Sequence, residues 1–180
     1  MRVAIFVTFL AFPVPVRADE VESRVLTHYI PQDFLEKVVR TEGWTEVPIE
    51  LNGNVRKGDT VRVWAGGWVD RGNGDQPGQN ISLPPGLAKT DPSTDASQLA
   101  LSKESSNAYA VLCKTDSSSV KKCLAVGKPL ELSFSKDKER LWIGFNDLHG
   151  RYQDNHLGKG RRHEFDPLWI RIEVVRTIVD

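Results

Sequence analysis

The stretch PLWIRIEVV, residues 167–175, alternates apolar and polar side chains along one unbroken run. Leu168, Ile170, Ile172 and Val174 share one parity, while Arg171 and Glu173 share the other. Successive side chains of an extended chain point to opposite faces. The parity therefore predicts a strand with one face in a core and the other toward water. A helix would repeat its apolar residues every three or four positions instead. In PLELSF (129–134), Leu130, Leu132 and Phe134 show the same alternation. VPIEL (47–51), DTVRVWA (59–65), NAYAVLC (107–113) and RLWIGF (140–145) are further short runs rich in Val, Ile, Leu and aromatics. NGN at 52–54 and KGD at 57–59 supply turn chemistry between them. QDFLEKVVRT (32–41) is the one candidate for a short helix, with an edge strand as its alternative. No internal repeat is visible. The fold class this predicts is all-β, an antiparallel β-sandwich.

The longest stretch without strand character is 72–106, dominated by Gly, Pro, Ser and Asp. A segment this long inside one domain is either functional or disordered. Asn80-Ile81-Ser82 within it matches a glycosylation acceptor.

The amino terminus sets the compartment. MRVAIFVTFLAFPVPVRA (1–18) opens with Arg2, runs apolar from Val3 to Val16 and closes on Val16-Arg17-Ala18. That is the layout of a cleavable secretory signal. The run is too short to span a bilayer, and Pro13 and Pro15 interrupt any helix there. The expected division is a signal peptide over 1–18, an amino-terminal extension over 19–42 and the β-sandwich over 43–180. Export places the mature chain in a secreted or periplasmic setting, with no membrane insertion. The whole chain carries 24 basic and 24 acidic residues. Without Arg2 and Arg17 the balance is slightly acidic, which argues against nucleic acid as a partner. Cys113 and Cys123 flank a Ser-rich turn in LCKTDSSSVKKCLAV (112–126). In an oxidising compartment they predict a disulfide across a hairpin; two buried free thiols are the alternative.

The apolar run LWIGF enters the polar loop FNDLHGRYQDN (145–155), which offers Asn146, Asp147, His149, Asp154 and Asn155 around Gly150. A tight turn built from Asx residues and glycine is one reading. A site for a hard cation is the other.

GDTVRVWAGGWVDRG (58–72), AVLCKT (110–115) and LWIGFNDLHGRYQDNHLGKG (141–160), followed by WIRIEV (169–174), resemble the PA-IL-like, calcium-dependent galactose-binding lectins. The resemblance covers roughly 43–176, with a gap through 73–106. It implies a jelly-roll, galactose-binding-domain-like sandwich holding one calcium ion at its loop tips, with sugar hydroxyls completing the shell. The metal ligands it implies are Asp147, Asp154, Asn155 and the backbone carbonyls of Arg71 and Arg151. Asp147, Asp154 and Asn155 would also face the ligand, with Gln76, Gln79 and Asn80 as stand-ins for the family's further sugar contacts. Asp154 stands where the family has an amide, and Arg71 where it has an aromatic residue. Calcium takes six to eight oxygens from carboxylates, amides, carbonyls and water, so three side chains leave open positions for hydroxyls.

Other constellations are weaker. His149, His156 and His163 recur every seven residues, but Gly150, Gly158 and Gly160 make a helical ligand face implausible. Asp147 with Glu164 or Asp166 would need one carboxyl in an apolar pocket to act as a glycosidase pair, and these acids lie in polar loops. No nucleophile elbow, phosphate loop or HExxH motif is present. Trp64, Trp68, Trp142 and Trp169 fit strand packing better than a sugar platform. The functional expectation is a non-enzymatic carbohydrate-binding protein, for which a homo-oligomer is compatible. The alternative is a structural or interaction module that binds protein partners, with or without calcium.

Overall fold

In a computed structural model of the chain, residues 21–48, 55–71, 81–86, 95–104, 108–123, 127–157 and 167–179 are described. In chain order the elements are β1 (Val21–Tyr29), α1 (Gln32–Arg40), β2 (Thr45–Glu46), β3 (Thr60–Gly66), β4 (Val69–Asp70) and β5 (Ile81–Ser82). A short 3-10 turn (Ala96–Gln98) follows, then β6 (Val111–Thr115), β7 (Lys121–Lys122), β8 (Leu130–Ser133), β9 (Leu141–Phe145), β10 (His156–Leu157) and β11 (Trp169–Val179).

The alternation of 167–175 becomes β11, which lies inside a four-stranded sheet of order β1-β11-β3-β8. A second four-stranded sheet runs β2-β9-β6-β7, and a small one runs β10-β4-β5. The pairing nests from the outside in: β1 with β11, β2 with β9, β3 with β8 and β6 with β7, all antiparallel. A long hairpin rolled so that its nested pairs alternate between two sheets is a jelly roll. The two sheets share one core. Val61, Val63, Leu130, Leu132, Ile170, Ile172 and Val174 meet Val111, Cys113, Leu141, Ile143 and Phe145 in a single buried cluster. Each such side chain contributes roughly 1.5–3 kcal/mol by leaving water.

On the other face of the first sheet, Trp169 pairs with Gly66. A Cβ on Gly66 would fall 2.4 Å from the Trp169 ring, so glycine is what lets the indole lie there.

The sequence reading departs from the structure in several places. VESRVLTHY is a nine-residue strand, β1, although its charges hide any clean alternation. Residues 32–40, by contrast, form the expected short helix and not the alternative edge strand, because Leu35, Val38 and Val39 fall on one side and are buried. Residues 21–42, set apart above as an extension, thus supply a sheet strand and part of the core. The pairing falls just before VPIEL (47–51), on Thr45 and Glu46, and of VPIEL itself only Val47 and Pro48 are among the described residues. The stretch 72–106 is not strand-free, since β5 pairs with β4.

Glu139 closes one end of the sandwich. It is fully buried, and its carboxylate ties the turn after β6 to the turn after β8. Oε1 accepts from Thr115 Oγ1 (2.6 Å) and Ser117 N (2.8 Å). Oε2 accepts from Ser135 N (2.7 Å), Ser135 Oγ (3.1 Å) and Lys136 N (3.3 Å). Burial alone would raise its pKa, but these donors outweigh it and lower the carboxyl to about 2. A carboxyl depressed in the fold contributes stability that is complete above its unfolded pKa and is lost as pH falls toward the folded value. The shift corresponds to about 3 kcal/mol. Glu139→Gln is therefore expected to lower stability by about 2–4 kcal/mol at pH 7. In urea titrations across pH 2–7, the gap between the two proteins should shrink below about pH 4.5.

Candidate functional site

The site is built where β9 runs out. Phe145 ends the strand in the core, and the next two residues turn their side chains into the protein. Asn146 is fully buried. Its Oδ1 accepts from Leu101 N (3.0 Å) and Ser102 N (3.1 Å), and its Nδ2 donates to the Ser102 carbonyl (3.2 Å). That amide fastens the 95–104 segment to the end of β9. It is a structural strut rather than an oxygen offered to a ligand.

Asp147 is buried as well, at 3% exposure. Its backbone is held by Tyr152, whose hydroxyl donates to the Phe145 carbonyl (2.9 Å) and accepts from Asp147 N (3.1 Å). Burial and the nearby Asp147 and Glu42 charges raise the Tyr152 phenol, so it stays a neutral donor. Asp147 Oδ1 accepts from Leu148 N (2.7 Å), and Oδ2 accepts from Asn155 Nδ2 (2.9 Å). Burial raises the Asp147 carboxyl. The Asn155 and Leu148 hydrogen bonds and the Arg71 charge pull it down, the Asp154 charge pushes it up, and the net shift is upward.

The partner amide, Asn155, is fully buried. Its Nδ2 donates both to Asp147 Oδ2 and to the Val39 carbonyl on α1 (2.9 Å). Two acceptors fix this orientation, because a flipped amide would face oxygen with oxygen. Among the described residues, Asn155 Oδ1 is buried without a hydrogen-bond partner, and so is Oδ1 of the neighbouring Asp154. Buried acceptors without donors are costly. A hard cation satisfies such oxygens, and the side-chain chemistry here, two carboxylates and an amide, is the kind it takes.

Sheet register brings the other half of the site to this loop. β10 pairs antiparallel with β4, His156 opposite Asp70 and Leu157 opposite Val69. One step further along the same register sets Arg71 beside Asn155. The Arg71 guanidinium carbon lies 4.0 Å over the centre of the Tyr109 ring. Among the described residues Arg71 makes no hydrogen bond or ion pair, and its Nε is buried without a partner.

The loop between the two acids is shaped by Gly150, whose φ of +73° is the left-handed turn expected of it. Glu42 anchors this turn, accepting from Gly150 N (2.9 Å) and pairing with His149 Nδ1. The Gly150 and His149 hydrogen bonds hold the Glu42 carboxyl below its usual range. Arg151 lies in the turn, exposed, with its N–H on the Leu148 carbonyl (3.1 Å).

Of the expected residues, Asp147 and Asn155 are in direct contact, and Arg71 and Asp154 lie close enough for their charges to act on Asp147. Gln76, Gln79 and Asn80 lie outside the described residues, as do residues 1–18 and His163. His149 and His156 sit apart on Glu42 and Glu36. Cys113 and Cys123 face each other with sulfurs 3.5 Å apart, both buried and both free. The thiol–thiol hydrogen bond to Cys123 and burial push the Cys113 thiol up. Among the described residues no three His, Cys, Asp or Glu side chains group as a metal set. A cavity of about 410 Å³ lined by Gln32, Asp33, Glu36, Leu157 and Pro167 includes none of the expected site residues. Tyr109, Tyr152, Glu42 and Val39 were not foreseen. The only signal for Tyr109 was its place before β6, and nothing in the sequence marks a carbonyl on a distant helix.

No protein-family model matches the sequence, and no curated protein is significantly similar to it. Among solved structures the chain is similar to one titled EclA N-terminal domain, a PllA-like lectin. The two are 15% identical with a TM-score of 0.36, over 75% of this chain and 95% of that one.

Because its amide spans the gap to Leu101 and Ser102, Asn146→Ala is expected to cost about 2 kcal/mol of stability. Hydrogen exchange at the Leu101 and Ser102 amides should speed up more than exchange in β11.

Proposed function

We propose that this protein is an exported, calcium-dependent carbohydrate-binding protein that performs no catalysis. The observation that carries the reading is the pair of buried, donorless oxygens on Asp154 and Asn155, next to the buried carboxylate of Asp147. The resemblance of the GDTVRVWAGGW and FND…DN blocks to the PA-IL-like lectins supports the same assignment. Asp147, Asp154, Asn155 and the carbonyls of Arg71 and Arg151 would hold the ion. Bound there, calcium supplies a centre of positive charge with open positions for vicinal sugar hydroxyls. The protein's own residues do the positioning. Tyr152 and Leu148 fix Asp147, Val39 fixes the Asn155 amide, and Gly150 turns the loop so that 154 returns toward 147. Gln76 and Gln79 would add contacts to the sugar. Export by the segment 1–18 belongs to the same reading, and in an oxidising compartment the facing Cys113 and Cys123 thiols, free in this structure, would oxidise to a disulfide.

A second reading, an interaction module, has one observation of its own. β1 is at the end of its sheet, and Val25 and Tyr29 on it are 50% and 72% exposed. An exposed strand edge with apolar side chains is a surface that partner strands use. Among the described residues no helix is long and apolar enough to cross a membrane.

Two carboxylates drawn together repel until a cation lies between them, so the ion should stabilise the fold by mass action. Calcium at a hundredfold excess over its dissociation constant is expected to raise the melting temperature by about 5–10 °C, and EDTA to reverse this. Asp154→Ala should melt at one temperature in both. Titration calorimetry of a monosaccharide panel should show binding with calcium and none in EDTA. Glycan binding that persists in EDTA would move the ligand elsewhere, and no glycan binding at all would favour the β1 edge.

The cysteine pair gives an independent check on export. Alkylating the unreduced, denatured mature protein is expected to label neither Cys113 nor Cys123; mass spectrometry showing both labelled would leave the thiols free.

A further inference from the structure

The charge in the candidate site does not balance for a neutral ligand. Asp147 and Asp154 together cancel a divalent cation. Arg71 then adds a positive charge that no described residue neutralises: it has no ion pair, and its Nε has no acceptor. Stacking over Tyr109 at 4.0 Å holds the guanidinium in place without using its hydrogen-bonding edge. Tyr109 is itself held, with its N–H on the Asn146 carbonyl (2.7 Å) and its own carbonyl accepting from Ser82 Oγ (3.0 Å). The side chain is therefore oriented before any ligand arrives, on the strand end that register sets beside Asn155.

A planar fork of donors with no internal acceptor matches a carboxylate or a sulfate ester. We propose that Arg71 is a specificity-determining residue and that the sugar taken by this site carries a singly charged anionic substituent. This rests on the calcium-dependent carbohydrate reading and adds to it the class of sugar. The single charge follows from the balance: one positive charge is left over once the cation and the two acids are counted. A carboxylate sugar, such as a uronic acid, and a sulfated sugar are two sources of the same chemistry. A neutral hexose would leave the guanidinium without a partner at a half-buried position.

The test uses the full mature protein and three probes: methyl galactoside, methyl galacturonide and galactose 6-sulfate, each titrated with calcium and with EDTA. Calcium affinity is measured separately, by calorimetry without sugar. At least one anionic sugar is expected to bind about tenfold or more tightly than the galactoside. Whichever of the two is preferred identifies the source of the anion. Arg71→Gln should abolish that preference, read as the ratio of anionic to neutral sugar affinity at saturating calcium, so that any change in calcium affinity at this carbonyl-bearing position does not enter the readout. Arg71→Lys should keep part of the preference, having the charge without the fork. Should Arg71→Gln fail to fold, raising salt from 0.05 to about 1 M in the wild type should erode the preference and spare calcium-dependent galactoside binding. If the galactoside binds as well as both anionic sugars, or the preference survives Arg71→Gln, the role of Arg71 is wrong and the calcium–sugar reading stands. If none of the three sugars binds the calcium-loaded protein, both fall.

Discussion

The register between β11 and its neighbours is the constraint on which the rest depends. β11 pairs with β1 over its outer edge and with β3 on its inner one, so it fixes three strands of one sheet at once. A slip of one residue would turn Ile170, Ile172 and Val174 out of the core and Arg171 and Glu173 into it. With several fully buried side chains at stake, at roughly 1.5–3 kcal/mol each, no competing register is close in energy. Asp59 adds a polar lock on this sheet. Arg176 of β11 reaches its carboxylate through Nε (3.0 Å) and Nη2 (2.7 Å), bracing the start of β3. The nested pairing of the remaining strands follows from this frame, since each inner pair sits within the pair outside it.

The candidate site depends on a pairing that crosses this nesting, since β10 follows β8 and β9 while β4 lies between β3 and β8 in the chain. β4 and β10 each span two residues, too short to be stable alone. They persist because β3 and β9, which precede them, are anchored in opposite sheets. Their pairing carries Arg71 to the loop that follows β9, across more than seventy positions of sequence. α1 contributes from a third direction, through the Val39 carbonyl that orients Asn155. The site thus rests on a sheet register, a helix end and a glycine turn, each fixed for reasons unrelated to any ligand.

Long alternating runs were legible in the sequence because their side chains decide their own exposure. β11, β8 and β3 fall in or beside the expected runs for that reason, whereas β6 and β9, buried on both faces, were legible from their apolar content alone. β1 was not legible. Its residues Glu22, Arg24 and His28 break the pattern, and it is a strand because β11 offers it a complete edge. β5 and β10 are pairing partners of β4, and nothing within two residues announces a partner. In the site, Asp147, Asp154, Asn155 and Gly150 could be picked out because their chemistry is local to one loop. Tyr109, Glu42 and Val39 could not, because they arrive through tertiary contacts. Asn146 looked like another oxygen donor and proved to be a strut, a distinction visible only once Leu101 and Ser102 are placed beside it.

Two buried carboxylates of this chain differ in how far the protein itself satisfies them. Glu139 and Asp147 are both nearly inaccessible to water, at 0% and 3% exposure. Glu139 is surrounded by backbone and hydroxyl donors, and its carboxyl is depressed to about 2. Nothing further is needed to keep it ionised. Asp147 has one backbone N–H and one amide as direct donors, with a second carboxylate nearby, and its carboxyl is raised. A carboxylate buried with too few donors is a standing cost to the fold unless something else supplies positive charge. Arg71 supplies part of it at a distance, and the donorless oxygens of Asp154 and Asn155 mark where more is needed. Glu139 has been completed by the protein itself. The cluster around Asp147 has not, and that shortfall, more than the identity of its residues, separates it from a turn whose acids are fully satisfied.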